Sequence, residues 1–394
     1  MFAYLRLNEC RMKVLFLTSW YPTLQQPYFG VFIKEHAHAI HFAGHNVLVL
    51  ALLVSKKRCL FQVSIEKNTD ESGVRTVVVQ VNSVFRDYLY HFLPFQHVLL
   101  RRIYRKHILP DFKADIIHSN VVFPAGILGD RLATSLNIPH VITEHWSRIK
   151  GALDMPFISG AIVKAYHKSA AIMPVSLFLK NTIQLLIEDL PDNRFSVVGN
   201  VVKTNTFYYN EKIMSTSEIR FCAIATWIHK KKPDKLPELF IEALANVQKK
   251  VNVKMKLIMI GGGDRLSELS EFSRLNGLDS EFRGFVGKDE ICSILHSCDY
   301  LVHASTIETF GVGIAEALMT GTPVICSAVG ALPELVNASN GVLCVNDVKS
   351  WEDGIVKAMT TKYNHNMIAA DVNARFGLNA IGEQISQVYN NLKF

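Results

Sequence analysis

The chain has 394 residues, 49% of them hydrophobic and 20% charged, which at roughly 100–200 residues per domain predicts two or three domains with large cores and excludes global disorder. Its longest strictly apolar run, Val47 to Val54, is eight residues, against the ~20 that span a bilayer. Met1 to Met12 mixes Arg6, Asn8, Glu9 and Arg11 among too few apolar residues for a signal peptide, so the expectation is a soluble, cytoplasmic chain. The formal net charge of +7 suits any anionic partner and selects none; the seven cysteines are scattered, with no CxxC pair, so neither a disulfide framework nor structural zinc is expected.

In chain order, Lys13 to Thr18 reads as a buried strand by length and β-branching. A Pro- and Gly-containing loop, Tyr21 to Gly30, leads to a helix over about Val31 to Phe42, which Gly44 is placed to end. Further strands are predicted at Asn46 to Leu52, Val74 to Val81, Ile116 to His118, His140 to Thr143 and Ala170 to Val175. The polar segment Asn205 to Glu218 reads as a connection. The alternation then restarts, with strands at Arg220 to Thr226, Met255 to Ile260, Glu281 to Phe285, Tyr300 to Val302 and Pro323 to Cys326. Helices fall between them at about Leu236 to Lys249, Leu266 to Asn276, Lys288 to Ser297 and Gly313 to Met319. Strand–helix alternation of this kind predicts α/β architecture: two Rossmann-like domains facing each other across a cleft.

The stretch His303 to Leu318 (HASTIETFGVGIAEAL) carries the most chemistry. Glu308 and Glu316, with seven residues between them, bracket a turn containing Gly311 and Gly313 that precedes an apolar helix. The glycines let backbone N–H groups approach a ligand, and a helix N-terminus favours phosphate. Two carboxylates flanking such a turn can accept hydrogen bonds from hydroxyls at opposite ends of a nucleotide sugar. The bland alternative is a solvent-facing glutamate and ordinary turn glycines.

This stretch resembles the donor site of the retaining glycosyltransferases of family 4, with their GT-B fold and E-x7-E motif. The resemblance continues at Gly321 to Ile325 (GTPVI), Gly330 to Val336 (GALPELV) and Asn340 to Leu343 (NGVL), and upstream at Met259 to Asp264 (MIGGGD), Phe282 to Val286 (FRGFV) and Asp299 to Ser305 (DYLVHAS). In the N-terminal half, Val14 to Gly30, Gly44 to Val47 (GHNV), Asp115 to Gly126, Ile138 to Ser147 and Asn200 to Phe207 follow in family order. The family places an Arg and, five residues on, a Lys against the donor diphosphate. Here Thr226 stands at the Arg and Lys231 at the Lys, with Lys230 and Lys232 adjoining, so the register is open by one residue. Phe29 and Ala331 stand where further glycines are common.

The resemblance implies an N-terminal acceptor-binding domain over residues 1–200, a C-terminal nucleotide-sugar-binding domain over 201–375, and a C-terminal helix in 376–394 packing back on the first domain. Lys231, Glu308 and His145 become the expected catalytic residues: the lysine for the departing diphosphate, Glu308 and His145 for the sugar. Donor binding is expected at Gly30, Gly262, Gly284, Phe285, Val286, Thr309, Phe310, Gly311, Val312 and Glu316, the last on the ribose. His118 is expected in a structural or acceptor-side role. No Asp-x-Asp occurs, so no metal or other cofactor is expected. The activity implied is transfer of a sugar, with retention, from a nucleoside-diphosphate sugar to a glycan or lipid-linked acceptor in cell-surface polysaccharide synthesis. Nucleic acid is not an expected partner. The alternatives are a binding protein of similar architecture with little or no activity, and a nicotinamide-dependent oxidoreductase, which would need GxGxxG where Ser19-Trp20-Tyr21-Pro22 stands.

Residues 85–112 place Tyr88, Phe92, Phe95, Leu99 and Ile103 at helical spacing, with Arg101, Arg102, Arg105 and Lys106 crowding the later turns. One apolar face beside a basic one suits a helix lying on an anionic membrane surface; an ordinary core helix with solvated arginines has the same pattern.

Overall fold

In the computed structural model, which describes residues 11–211, 218–251 and 253–392, the chain divides into two units. One runs to Val201 and resumes at Leu378; the other is Val202–Gly377. Residues 1–10 of the stretch read for a leader, Cys10 with them, and residues 212–217 of the Asn205 to Glu218 connection lie outside the described residues.

The first unit is built on seven strands: β1 (Lys13–Thr18), β2 (Asn46–Lys56), β3 (Gln62–Thr69), β4 (Arg75–Ser83), β5 (Ile116–Asn120), β6 (His140–Glu144) and β7 (Ala171–Pro174), in the order β3-β4-β2-β1-β5-β6-β7. β1 lies inside the sheet, paired in parallel with β2 and β5, and its side chains from Val14 to Thr18 are buried on both faces, so it reads as an apolar run. β3 corrects the sequence reading, which had no strand there: it pairs antiparallel with β4 at the sheet edge. Its period-2 pattern was faint because only Val63 and Ile65 turn toward the core, while its other side chains are mostly exposed.

Residues 85–112 are not one helix. Arg86–His91 and Leu93–Ile103 are separate helices broken at Phe92, followed by the turn Tyr104–Ile108; Pro94 sits in the first turn of the second, where its missing N–H costs nothing. Leu100, Ile103, Tyr104, Ile108 and Phe112 join the core beneath Val77, Val79 and Val81, with Phe95 and Leu99 packed against them. Of the expected apolar stripe, only Tyr88 and Phe92 are exposed.

The last helix, Leu378–Asn390, lies along the helix Val31–Phe42. At Gly382 a Cβ would come 2.5 Å from the Ala39 carbonyl oxygen, so only glycine allows this approach. Ser386 Oγ meets His45 Nε2 at 2.9 Å, and Tyr389 Oη meets His118 Nδ1 at 2.6 Å.

The second unit holds six strands: β8 (Ile219–Ile224), β9 (Met255–Ile260), β10 (Asp279–Gly284), β11 (Tyr300–His303), β12 (Val324–Ser327) and β13 (Gly341–Cys344), all parallel, in the order β10-β9-β8-β11-β12-β13. The core under them includes Phe221, Phe240, Leu257 and Trp351. Strand order reverses between β8 and β11, and in open α/β sheets ligands bind outside the carboxyl ends of the strands at such a switch point. Among the described residues no helix is long and apolar enough to cross a membrane.

Candidate functional site

The loop after β8 and the loop after β11 meet at this switch point. Leu236 N–H donates to the Ala304 carbonyl at 3.0 Å and Thr306 N–H to that of Asp234 at 3.0 Å, so residues 234–236 run antiparallel to 304–306. This pairing sets Lys235 over Glu308: its ammonium donates to Glu308 Oε1 and lies 3.1 Å from His303 Nε2, which is itself 2.9 Å from the same carboxylate oxygen. Burial pushes the Glu308 carboxyl up, but the His303 hydrogen bond and the Lys235 charge outweigh it and hold the group at about 2. Burial, with the Lys235 charge, pushes the His303 imidazole below its ordinary value, against the pull of Glu308. Glu308 is thus an ionised acceptor fixed by a cation and a neutral ring.

The backbone of Glu308 is held as firmly. Ala331 N–H donates to its carbonyl at 2.9 Å, and a Cβ at Gly330 (φ +57°) would run into that same oxygen. Beyond Glu308 the chain turns at Gly311, φ +92°, into the helix Val312–Met319, whose N-terminus has no side-chain cap. The first turn of a helix carries N–H groups without intrahelical partners, so this end can meet an anion. Glu316, buried on that helix, accepts from Lys288 Nζ at 2.9 Å.

Opposite lies the glycine turn after β9. Gly261 N–H donates to the Gly284 carbonyl at 2.7 Å, and a Cβ on Gly262 would strike the Phe285 ring, itself 63% exposed. Asp264 Oδ1 accepts the His229 N–H at 2.8 Å and so ties this turn to the lysine loop. A recess between the two is lined by Thr226, Trp227, Lys230, Lys235 and Arg265.

The structure therefore brings Glu308, Thr309, Gly311, Val312 and Glu316 together along one turn and helix, with Gly262, Gly284, Phe285 and Val286 on neighbouring strand ends. Two expected roles change. Phe310 is buried edge-on against Phe376, with ring centroids 5.1 Å apart, so its side chain is core. Lys231 is exposed, Lys230 pairs with Asp234, and the lysine that reaches Glu308 is Lys235. Sequence reading missed Lys235 because it placed the lysine by the family's five-residue spacing from Thr226, with the register open by only one residue, whereas the lysine that meets Glu308 stands further along the loop. Counted back from the amphipathic helix Pro237–Val251, Lys235 is the lysine beside the helix start. His303 and Lys288 had no signal of their own; only the fold gives them carboxylate partners.

In the first unit His145 follows β6 and is buried, with Nε2 3.2 Å from Asn120 Oδ1 and its ring 4.9 Å from Phe32 and 5.2 Å from His36. Burial drives both imidazoles below the ordinary 6.5, His36 to about 4. Glu144 locks the turn: it accepts from the N–H groups of Val122 (2.8 Å), His145 (2.9 Å) and Trp146 (2.9 Å) and from the Tyr166 hydroxyl (2.8 Å). His118 lies between Tyr389 and Thr143 and ties the last helix to the sheet. Gly30 takes φ +73°, and a Cβ there would meet the Trp20 carbonyl carbon and oxygen at 2.7 Å, so its glycine closes the loop after β1. Among the described residues no group of three or more His, Cys, Asp or Glu side chains is arranged to hold a metal ion.

The family profile described as "Glycosyl transferases group 1" matches residues 223–373, and that of "Glycosyltransferase Family 4" matches residues 29–206. An uncharacterised glycosyltransferase of Methanocaldococcus jannaschii, MJ1178, is 30% identical over 260 residues, 62% of this chain and just under two thirds (66%) of that protein. The putative teichuronic acid biosynthesis glycosyltransferase TuaC of Bacillus subtilis is 22% identical over 91% of this chain and 90% of its own length. Among solved structures, Anabaena HepE in complex with UDP and glucose superposes with a TM-score of 0.68 at 18% identity, covering 97% of this chain and all of that one. With both units matched and the GT-B fold shared, the chain belongs to the group 1/family 4 glycosyltransferases.

Proposed function

We propose that the protein transfers a sugar from a nucleoside-diphosphate sugar to a glycan or lipid-linked acceptor, with retention at the anomeric carbon, in the assembly of a cell-surface polysaccharide. The observation that carries this reading is the arrangement of Lys235, Glu308 and His303 beside the uncapped helix end at Gly311. Charge develops on the diphosphate as the glycosidic bond breaks, and a cation and backbone N–H groups already in position stabilise it without reorganising. Lys235, rather than Lys231, supplies that cation. Glu308, kept ionised, accepts from the sugar hydroxyls, and Glu316 from the ribose. His145, a neutral ring, is assigned to the transferred sugar. No metal is assigned a part. HepE, a structural neighbour, was solved with UDP and glucose, and TuaC is named for teichuronic acid biosynthesis; both support the donor and pathway class.

Hydrolysis and transfer across a panel of nucleotide sugars tests it: turnover of at least one donor is expected. Binding without turnover favours the alternative of an inactive sugar- or nucleotide-binding protein. We further assign the protein to the surface of an anionic membrane through exposed Phe85, Tyr88 and Phe92 with the basic Arg102, Arg105 and Lys106.

A further inference from the structure

The β3–β4 edge offers a second pocket, in the first unit. Val63 and Ile65 face the core beside Val77 and Val79, so the period of 2 sends Glu66 and Asn68 of β3, and Val78 and Gln80 of β4, to the opposite face. There Glu66 is paired with Val78 and Asn68 with Thr76 across the ladder. The loop from Tyr21 to Pro27 and Lys34 from the first helical turn wall this face into a pocket.

The lining is that of a site for a hydroxyl-rich ring. Asn68 and Gln80 present carboxamides from adjacent strands, Thr23 and Gln25 add a hydroxyl and an amide from the loop, and Val78 and Leu24 supply apolar surface for a C–H face. Leu24, in the pocket lining, is 98% exposed. Among the described residues neither the Glu66 carboxylate nor the Gln80 amide has a hydrogen-bond partner within the chain, whereas Asp70 is spent. Its Oδ1 accepts from the Ser72 and Val74 N–H groups, both at 3.0 Å, and its Oδ2 lies 2.7 Å from His38 Nε2.

A second observation points to a ligand. Tyr21 lines the pocket, is 95% buried (5% exposed), and its hydroxyl has no hydrogen-bond partner among the described residues. Such groups are rare in folded proteins and call for a partner. Burial, with the charges of Asp70 and Glu35, keeps this phenol protonated and therefore a donor. The charge balance narrows the class. Asp70 is balanced by His38 and Lys34, which leaves Glu66 as the unpaired charge of this lining, so a uronate or phosphate beside it would meet repulsion while a neutral or amino sugar would not.

We infer that this pocket is a saccharide subsite that holds an uncharged or amino-bearing residue of the acceptor glycan. Its assignment to the acceptor rests on the transferase reading; the binding of saccharide does not. The test is calorimetric titration of the full chain with chitotriose, cellotriose, maltotriose and trigalacturonate. At least one neutral trisaccharide binds, and trigalacturonate binds at least tenfold more weakly. The double variant Asn68→Leu/Gln80→Leu weakens the neutral ligand at least tenfold. So does Thr23→Ala/Gln25→Ala, which leaves the sheet intact; UDP binding is unchanged in both. Failure of every neutral trisaccharide to bind, equal binding of trigalacturonate, or indifference of both double variants overturns the inference. Saccharide binding that persists when no nucleotide sugar is bound or turned over sinks the transferase reading and leaves the pocket standing; turnover without saccharide binding sinks the pocket alone.

Discussion

At the scale of single residues, the Lys235–Glu308 pair carries the strongest consequences. If Lys235 faces the departing diphosphate, Lys235→Ala lowers kcat for donor hydrolysis by about two to three orders of magnitude, the range for loss of one preorganised electrophilic donor. Exposed Lys231→Ala stays within about two- to threefold, as surface substitutions generally do. Removing Lys235 also leaves the Glu308 carboxylate with His303 as its remaining charge-stabilising neighbour, so a thermal melt accompanies the kinetics. The two glutamates separate by parameter. Glu316→Ala weakens UDP binding by ~1–3 kcal/mol through lost charge-assisted hydrogen bonds, read by calorimetry. Glu308→Gln lowers kcat more than it raises KM, because holding the sugar matters most in the transition state. Acid stability gives an independent reading of the same site. The Glu308 carboxyl sits at about 2 in the folded chain against an ordinary 4.5, so folding favours the ionised form. That contribution is complete above about pH 4.5 and is lost as pH falls toward 2. Urea melts over this interval are expected to show wild-type stability falling more steeply with acid than that of Glu308→Gln; parallel curves would remove the ion pair from the account.

At the scale of elements, the helix Leu378–Asn390 shows how distant segments complete a unit. It closes the first sheet's helical layer through Gly382 against Ala39, Ser386 on His45 and Tyr389 on His118. Gly382→Val inserts a branched side chain where even a Cβ is too close, and is expected to cost ~1–3 kcal/mol or more in urea denaturation; an unchanged midpoint would show that the two helices can move apart freely. Elements with strong apolar runs, such as β1, β9 and the helix Leu266–Asn276, were legible because burial on both faces, or a clean 3.6 period, leaves a mark in the sequence. β3 and β13 were not. The first exposes most of its side chains at a sheet edge, and the second opens on Gly341, which has no side chain to pack and reads as part of the turn before it. The stretch 85–112 misled in another way: one periodic stripe was cut by the break at Phe92 into an exposed part and a core part.

At the scale of the whole molecule, membrane association is tested by sedimentation with vesicles. Phosphatidylglycerol-rich vesicles are expected to carry the protein down in a salt-sensitive way and neutral phosphatidylcholine ones not. Replacing Phe85, Tyr88 and Phe92 by serine weakens binding at all salt concentrations, whereas removing Arg102, Arg105 and Lys106 costs ~1 kcal/mol per charge at low salt only. Indifference to both vesicle types places these aromatics in some other role. What the sequence by itself determined is the architecture and the turn and helix that carry Glu308 and Glu316. Strand–helix alternation follows from local burial patterns, and the Glu308-to-Glu316 spacing with its glycines fixes one turn and one helix without reference to anything distant. Tertiary structure alone decided which lysine meets Glu308, that His303 and Lys288 complete the two carboxylates, and that Phe310 is core. The physical reason is the same in each case. A parallel strand order that reverses between β8 and β11 joins loops some seventy residues apart (Lys235 to Glu308), and no local pattern along the chain encodes which side chains will face each other across that join.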